Sequence, residues 1–353
     1  MLVRAVQVPM RRPLSTSAQV IREAPLLLVD LQTDLGIDGH AYLFCYHALG
    51  QRMMADVLRE ASDAVVGSAV DPGALRVNLR KRWRLFGSAG PVDMALSGID
   101  VALWDALSQE AGQPLAQFLG ATPVPLQCYN SNGLGLIGSA AAATEALELV
   151  DEGYDAIKIR VGYPSLAEDV SVVRAVRHAV GDAVRLLVDY NQALDREEAM
   201  RRCIALDDEG VHWIEEPIVH DDYAGAADIS ARIATPLQLG ENLAGKHAVE
   251  AALEARASDL LMFDLQRIGG VTGWLDAAAV ASDHRLPLSS HLFPEVSAHL
   301  LALSPTRDWL EMVDWAAPIL RDPLLVRDGK VASSERPGTG IRWDRDAVRR
   351  FMC

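Results

Sequence analysis

Lys158, Asp189, Glu215, Glu241, Asp264, His291 and Glu311 recur along this chain at intervals of 31, 26, 26, 23, 27 and 20 residues, by subtraction of their numbers. Most stand at or just after the end of a short apolar run. An interval of this size holds one strand, one helix and two short loops. Repeated, that unit gives a parallel sheet, and this many units close into a barrel whose strands all end on one face. Side chains remote in sequence then converge on one pocket. The collected set is a lysine, three consecutive carboxylates, an aspartate, a histidine and a last glutamate, which reads as an active site spread over successive strands.

The rest of the chain fits one large barrel and one small domain, within the size that 353 residues allow. Residues 2–8, 26–31 and 41–46 read as strands, and residues 51–66 and 91–110 as helices, the second opened by Pro91 and closed before Gly112. Strands followed by helices indicate an α+β unit. From Pro123 the pattern becomes strict alternation. Strands are expected at 156–160, 184–188, 211–214, 237–239, 260–263, 286–289 and 309–310. A helix is expected at 165–180, and another opens at Asp195 with Glu198 in capping-box spacing. The tail, 318–353, holds no further barrel unit and is expected to pack back on the N-terminal part.

Net charge is −15 (33 basic minus 48 acidic residues), which argues against a nucleic-acid surface. No apolar run is long enough to cross a bilayer, and the first residues resemble a strand more than a signal peptide. Cys45, Cys128, Cys203 and Cys353 form no C-x-x-C pair, so neither zinc nor a redox motif is indicated, and isolated cysteines fit a reducing, cytoplasmic setting.

Asp189, Glu215 and Glu241 each follow a different strand. Three carboxylates with no Cys or His among them suit a hard divalent cation, Mg²⁺ by default with Mn²⁺ as a substitute. Without a cation, acids so crowded would repel. Lys158 and Arg160 stand two apart on one strand and so point to the same side. There they could receive a substrate carboxylate. Asp264 and His291 end adjacent strands, and an aspartate that accepts from one imidazole nitrogen raises the basicity of the other, as a general base requires. His40, His47, His212, His220 and His299 read as packing or surface residues. Glu311 could donate a hydrogen bond to developing negative charge if its neighbours raise its pKa.

Ten segments, in order, carry a resemblance over nearly the whole chain: GHAYLFCY (39–46), GIDVALWDAL (98–107), PLAQFLGA (114–121), KIRVGYP (158–164), VDYNQ (188–192), WIEEP (213–217), GEN (240–242), RIGGVTGW (267–274), SSHLF (289–293) and WLE (309–311). They resemble the enolase superfamily, mandelate racemase subgroup. The resemblance implies an α/β fold, a modified (β/α)7β TIM-type barrel (123–317) under an N-terminal α+β capping domain (1–122), with the segment 318–353 returning to the cap. It implies Mg²⁺ on Asp189, Glu215 and Glu241, and abstraction of the α-proton of a small-molecule 2-hydroxycarboxylate through an enediolate. Lys158 would contact the substrate carboxylate and Asn191 its hydroxyl. Asp264–His291 would be the base for the R-configured carbon, and Glu311 would hydrogen-bond the carboxylate. Phe44, Tyr46, Leu85, Ser131 and Leu292 would surround the substrate. Related proteins are homo-oligomers, commonly octamers; neither a nucleic acid nor a membrane partner is expected.

One position departs from the pattern. Lysine-x-lysine is replaced by Lys158-Ile159-Arg160, and arginine does not give up its proton as lysine can. A racemase or epimerase needs a base on each face of the intermediate. An acid-sugar dehydratase can work with His291 as its single acid–base. A non-catalytic ligand-binding relative is the remaining class. Apolar walls would suit an aryl or alkyl hydroxy acid. The segment 10–24, read as a loop over the site, carries Arg11, Arg12, Ser15, Ser17 and Arg22 and would suit a second anionic or hydroxylated group.

Overall fold

The computed structural model describes residues 1–353. Three antiparallel strands open the chain in spatial order: β1 (Leu2–Ser15), β2 (Val20–Gln32) and β3 (Asp38–Phe44). β1 and β2 run further than the sequence reading allowed. Residues 10–24 are therefore the outer half of a hairpin, not a loop, because inward burial continues past Val8 through Met10 and Arg12. The helix Pro91–Glu110 lies against β3. Gly39 makes the close approach possible, since a Cβ there would sit 2.0 Å from the Ala102 carbonyl oxygen. A helix the sequence reading missed spans Pro72–Arg82, capped by Asp71; only Pro72, Leu75 and Leu79 are buried along it, so its apolar stripe is faint.

Eight parallel strands follow: β4 (Leu126–Asn130), β5 (Ala156–Arg160), β6 (Arg185–Asp189), β7 (Trp213–Glu215), β8 (Leu237–Leu239), β9 (Leu260–Asp264), β10 (Leu288–His291) and β11 (Leu310–Met312). They pair in the order β10-β9-β8-β7-β6-β5-β4-β11. At the seam, Ser290 N donates to Trp309 O at 3.0 Å and Leu288 N to Thr306 O at 2.9 Å. The result is the expected modified (β/α)7β barrel under an α+β cap, for β11 leads into a single 3₁₀ turn and the tail in place of an eighth helix. The helix Leu166–Val180 starts with a full capping box between Ser165 and Glu168. At Asp195 only half of that motif forms, because the Glu198 carboxylate turns to Arg201 and Arg202.

The barrel interior explains the recurrence in the sequence. Tyr129, Ala156, Leu187, Trp213, Met262 and Trp309 form a separate buried apolar cluster. Two residues further along each strand come Ser131, Lys158, Asp189, Glu215, Asp264 and Glu311. Side chains two apart share a face, so the apolar cluster is a floor and the polar set the ring above it, at the strands' C-terminal ends. Asn191, Gln192, Glu216, Leu292 and Phe293 all have positive φ just beyond those ends. Backbone strain of this kind collects at functional sites.

The tail does more than return to the cap. Trp343 Nε1 donates to Asp30 Oδ1 at 2.7 Å, and the helix Arg345–Phe351 touches β1. In between, β12 (Lys330–Val331) adds an antiparallel edge to β4. One cluster of 89 buried hydrophobic residues includes both cap and barrel side chains, so the two share a core. No helix is long and apolar enough to cross a membrane.

Candidate active site

One ligand oxygen from each of Asp189, Glu215 and Glu241 lies within 4.8 Å of the others. Asp189 and Glu215 are 1% and 0% exposed. Burial and the neighbouring Asp189 carboxylate push Glu215 well above the usual carboxylate range, even though Lys158 pulls it down. Lys158 Nζ stands 2.9 Å from Glu215 Oε1, 3.3 Å from Asp189 Oδ2 and 3.0 Å from Glu311 Oε1. Three acids around one lysine leave an excess of negative charge, and the donor set is oxygen only. That is the environment a hard divalent cation completes. Asn191 braces the first ligand: its N–H donates to Asp189 Oδ1 at 2.7 Å and its Nδ2 to Oδ2 at 2.9 Å. Asn242 Nδ2 links Glu241 Oε1, at 3.1 Å, to Glu216 Oε2, at 2.7 Å.

His291 Nδ1 is 2.7 Å from Asp264 Oδ2, and its Nε2 is 3.1 Å from Glu241 Oε2. Burial disfavours the charged ring, but Glu241, Glu311 and Asp264 together outweigh it and raise His291 to about 10. Asp264 Oδ1 accepts from the backbone N–H groups of Gln266 and Arg267, both at 2.9 Å, so one carboxylate orients the ring and opens the next helical turn. Glu311 differs from the expectation. Burial raises it, but Lys158, His291, the Ser131 hydroxyl and the Leu292 N–H lower it to about 2. It stands as an ion, not as a neutral donor.

Both Nη groups of Arg160 are engaged by the loop after β4, while its Nε is buried without a partner. Its Nη1 donates to Ser131 O and Gly133 O, each at 2.9 Å, and its Nη2 to Ser131 Oγ at 2.8 Å. Ser131 is buried behind this contact and does not border the cavity. The cavity, about 170 Å³, is bordered by Phe44, Tyr46, Lys158, Arg160, Asp189, Asn191, Glu241, His291 and Leu292 among the residues singled out from sequence. Leu85 is a correction: it is 95% exposed, outside the cavity. A turn in which Phe86 N and Gly87 N both donate to Trp83 O projects Leu85 and Phe86 outward. A second correction concerns the hairpin. Arg11 binds Glu152, and Arg12 binds Glu148 and Glu152, so neither cation faces the cavity; Leu14, Thr16, Gln19 and Ile21 do.

Residues 141–347 match the enolase C-terminal domain-like family, and residues 1–120 match the mandelate racemase / muconate lactonizing enzyme N-terminal domain. The chain belongs to the enolase superfamily, mandelate racemase subgroup. Within that superfamily it is 33% identical to an L-talarate/galactarate dehydratase of Salmonella typhimurium, over 93% of this chain and 83% of the relative. An enolase from alpha proteobacterium bal199 with bound magnesium superposes with a TM-score of 0.97 at 40% identity, covering 99% of this chain and 98% of the other. An enolase from Bradyrhizobium complexed with magnesium and mandelic acid gives 0.94 at 39% identity, covering 99% and 97%.

Three features of this enolase-superfamily site escaped the sequence reading. Trp315 borders the cavity and packs on Phe44, with ring centroids 4.7 Å apart. Arg267 also borders it, inside a motif that had marked the family without any role for that residue. Gln266 reaches across to the cap: its Oε1 accepts from Phe44 N at 3.2 Å and its Nε2 donates to Phe44 O at 3.1 Å. This amide clasp fixes the Phe44 wall to the strand end that carries Asp264. Gln266→Leu is expected to lose both bonds and leave two buried backbone groups unpaired, costing about 1–3 kcal/mol. Denaturant titration reads the stability loss, and KM is expected to rise more than kcat falls.

Proposed function

We propose that this protein is a Mg²⁺-dependent hydro-lyase that dehydrates a polyhydroxy 2-hydroxycarboxylate, with His291 as its single acid–base. The observation that carries this reading is the engagement of Arg160. Its Nη groups are spent on Ser131 and Gly133, and a guanidinium so held neither accepts a proton nor moves to do so. Only one face of the substrate then has a base. Dehydration needs no more than that, whereas racemisation needs two.

Asp189, Glu215 and Glu241 would hold Mg²⁺, which supplies Lewis-acid stabilisation of the second negative charge that α-proton removal places on a carboxylate. Lys158 binds that carboxylate and contributes a fixed positive charge. Asp264 holds His291 so that Nε2 faces the α-carbon. His291 takes the proton from C2, and the same proton on Nε2 then assists the C3 hydroxyl to leave as water. The enol that remains takes up a solvent proton at C3 and becomes a 2-keto-3-deoxy acid. Glu311, ionised, accepts from the Leu292 N–H and pairs with Lys158, so it positions the lysine that binds the carboxylate, and Asn191 keeps the Asp189 ligand in place. The cap (1–122) contributes the walls Phe44 and Tyr46; the barrel (123–317) contributes Leu292, the Ser131–Arg160 brace and the reacting groups; the tail (318–353) ties them together.

The talarate/galactarate dehydratase relative supports this reading. The polar border of the cavity, with Thr16, Gln19, Gln192 and Asn242, offers partners for hydroxyls. A second reading, exchange or racemisation of an aryl hydroxy acid, is favoured by the apolar arc of Phe44, Leu292 and Trp315 and by the relative that holds mandelic acid. Proton NMR of the Mg²⁺-loaded protein in D₂O, with a panel of aldonates, aldarates and both mandelate enantiomers, separates the two. A 2-keto-3-deoxy product with one deuterium at C3 is expected. Deuterium at C2 of both mandelate enantiomers, with no keto acid from any sugar, would overturn the proposal.

A further inference from the structure

We infer that Arg267 is the receptor for a second carboxylate at the far end of the substrate, so that the substrate class is the dicarboxylic sugar acids. This inference rests on the acid-sugar reading above.

Arg267 borders the same cavity as Lys158, Glu241 and His291. Its backbone N–H is bound by Asp264 Oδ1 at 2.9 Å, the carboxylate whose other oxygen holds His291 Nδ1 at 2.7 Å. Base and guanidinium stem are therefore set in one frame. The side chain lies over the Tyr46 ring, its guanidinium carbon 5.1 Å from the centroid, so it is held in place by an aromatic face and not by an anion. It forms no salt bridge, and its Nε is buried without a hydrogen-bond partner.

Arg160, on the same cavity, also lacks a salt bridge and has a buried Nε without a partner, but its Nη groups are bound; the Arg267 guanidinium is held by neither a carboxylate nor a carbonyl. Lys158 has three carboxylates, and Arg160 has two carbonyls and a hydroxyl. Arg202 has Asp169 and Glu198, and Arg12 has Glu148 and Glu152. On the far side of Arg267, in a small adjoining cavity, Arg76 is paired with Asp276 and Arg80 with Asp93. A largely desolvated guanidinium without an anion is costly, and its planar fork matches a carboxylate. With the cluster carboxylates committed to a cation, Lys158 to the reacting carboxylate and the Arg160 Nη groups to Ser131 and Gly133, Arg267 is the cavity cation whose fork is left for an anion. A substrate ending in a second carboxylate would satisfy it; one ending in a hydroxymethyl group would leave it unpaired.

The test uses stereochemically matched pairs of an aldarate and the aldonate that carries CH₂OH in place of its terminal carboxylate. Wild-type and Arg267→Gln proteins, both Mg²⁺-loaded, are assayed for keto-acid formation. Binding of the same pairs to otherwise inert His291→Asn protein, with and without Arg267→Gln, is measured by titration calorimetry. Wild type is expected to prefer the aldarate of at least one pair by about 10-fold or more in kcat/KM, the range of a charge-assisted hydrogen bond. Arg267→Gln is expected to remove that preference through KM, with the aldonate changed by less than about 2-fold. Equal losses for both members of a pair would assign Arg267 a merely structural role with Tyr46 and overturn the inference. So would calorimetry that shows no dicarboxylate preference. If no pair is turned over, the hydro-lyase reading fails, while the calorimetric comparison still decides the subsite.

Discussion

Replacing His291 with asparagine is expected to lower kcat for α-proton removal by about 10²–10⁴-fold, the usual contribution of a positioned general base. The fold is expected to survive, because the ring's partners are Asp264, which keeps two backbone N–H groups, and Glu241, which keeps Asn242. The pH profile carries the second half of this prediction. A base must be neutral, yet without a cation His291 is raised to about 10 because Glu241, Glu311 and Asp264 outweigh its burial. Activity should therefore rise with pH along a limb set by loss of the imidazolium proton. A cation on Glu241 cancels part of the field that holds that proton, so the limb should move to lower pH as Mg²⁺ saturates. Rates measured across pH at two Mg²⁺ concentrations check this; a limb that stays in place would remove Glu241 as a cause of the shift.

Lys158→Met is expected to destabilise the metal-free protein by about 3–5 kcal/mol, the cost of stripping the partner from a buried ion cluster. Lys158 is 1% exposed and is the cation that Asp189, Glu215 and Glu311 share. Without it, the carboxylates repel in a site that water cannot screen. Mg²⁺ supplies replacement charge, so saturating Mg²⁺ should return much of the lost stability while activity stays low for want of the carboxylate anchor. Thermal melts of wild type and variant, each with Mg²⁺ and with a chelator, read both effects. Equal losses with and without the cation would mean that Lys158 does not share its charge with the cluster.

Much of this was legible in the sequence because a barrel converts spacing into position. The polar ring is offset by two from an apolar floor, as Tyr129/Ser131, Leu187/Asp189, Trp213/Glu215, Met262/Asp264 and Trp309/Glu311 show, so short apolar runs ending in an ionisable residue were enough to collect the site. Contacts across the cap were not legible. Gln266 clasping Phe44, and Trp315 packing on it, depend on where the two domains touch, and neither residue carries a periodic or charge signal. Leu85 failed for the opposite reason: an apolar residue outside the ten matching segments was placed in a wall, while the turn at Trp83–Gly87 sends it to solvent. The electrostatics of Glu311 were also beyond the sequence, because the nearness of Lys158 and His291 that holds it ionised exists only once three strands are assembled.

The one-sided base is the claim on which the account stands, and the stereochemistry of α-hydrogen exchange tests it most directly. Enantiomerically pure R- and S-2-hydroxy acids, mandelate included, are incubated separately with Mg²⁺-loaded wild-type protein in D₂O, and deuterium at C2 is followed by NMR. The account predicts exchange on the face served by His291, with retention of configuration, and none above the enzyme-free rate on the face served by Arg160. Comparable exchange into both enantiomers, with interconversion, would contradict it.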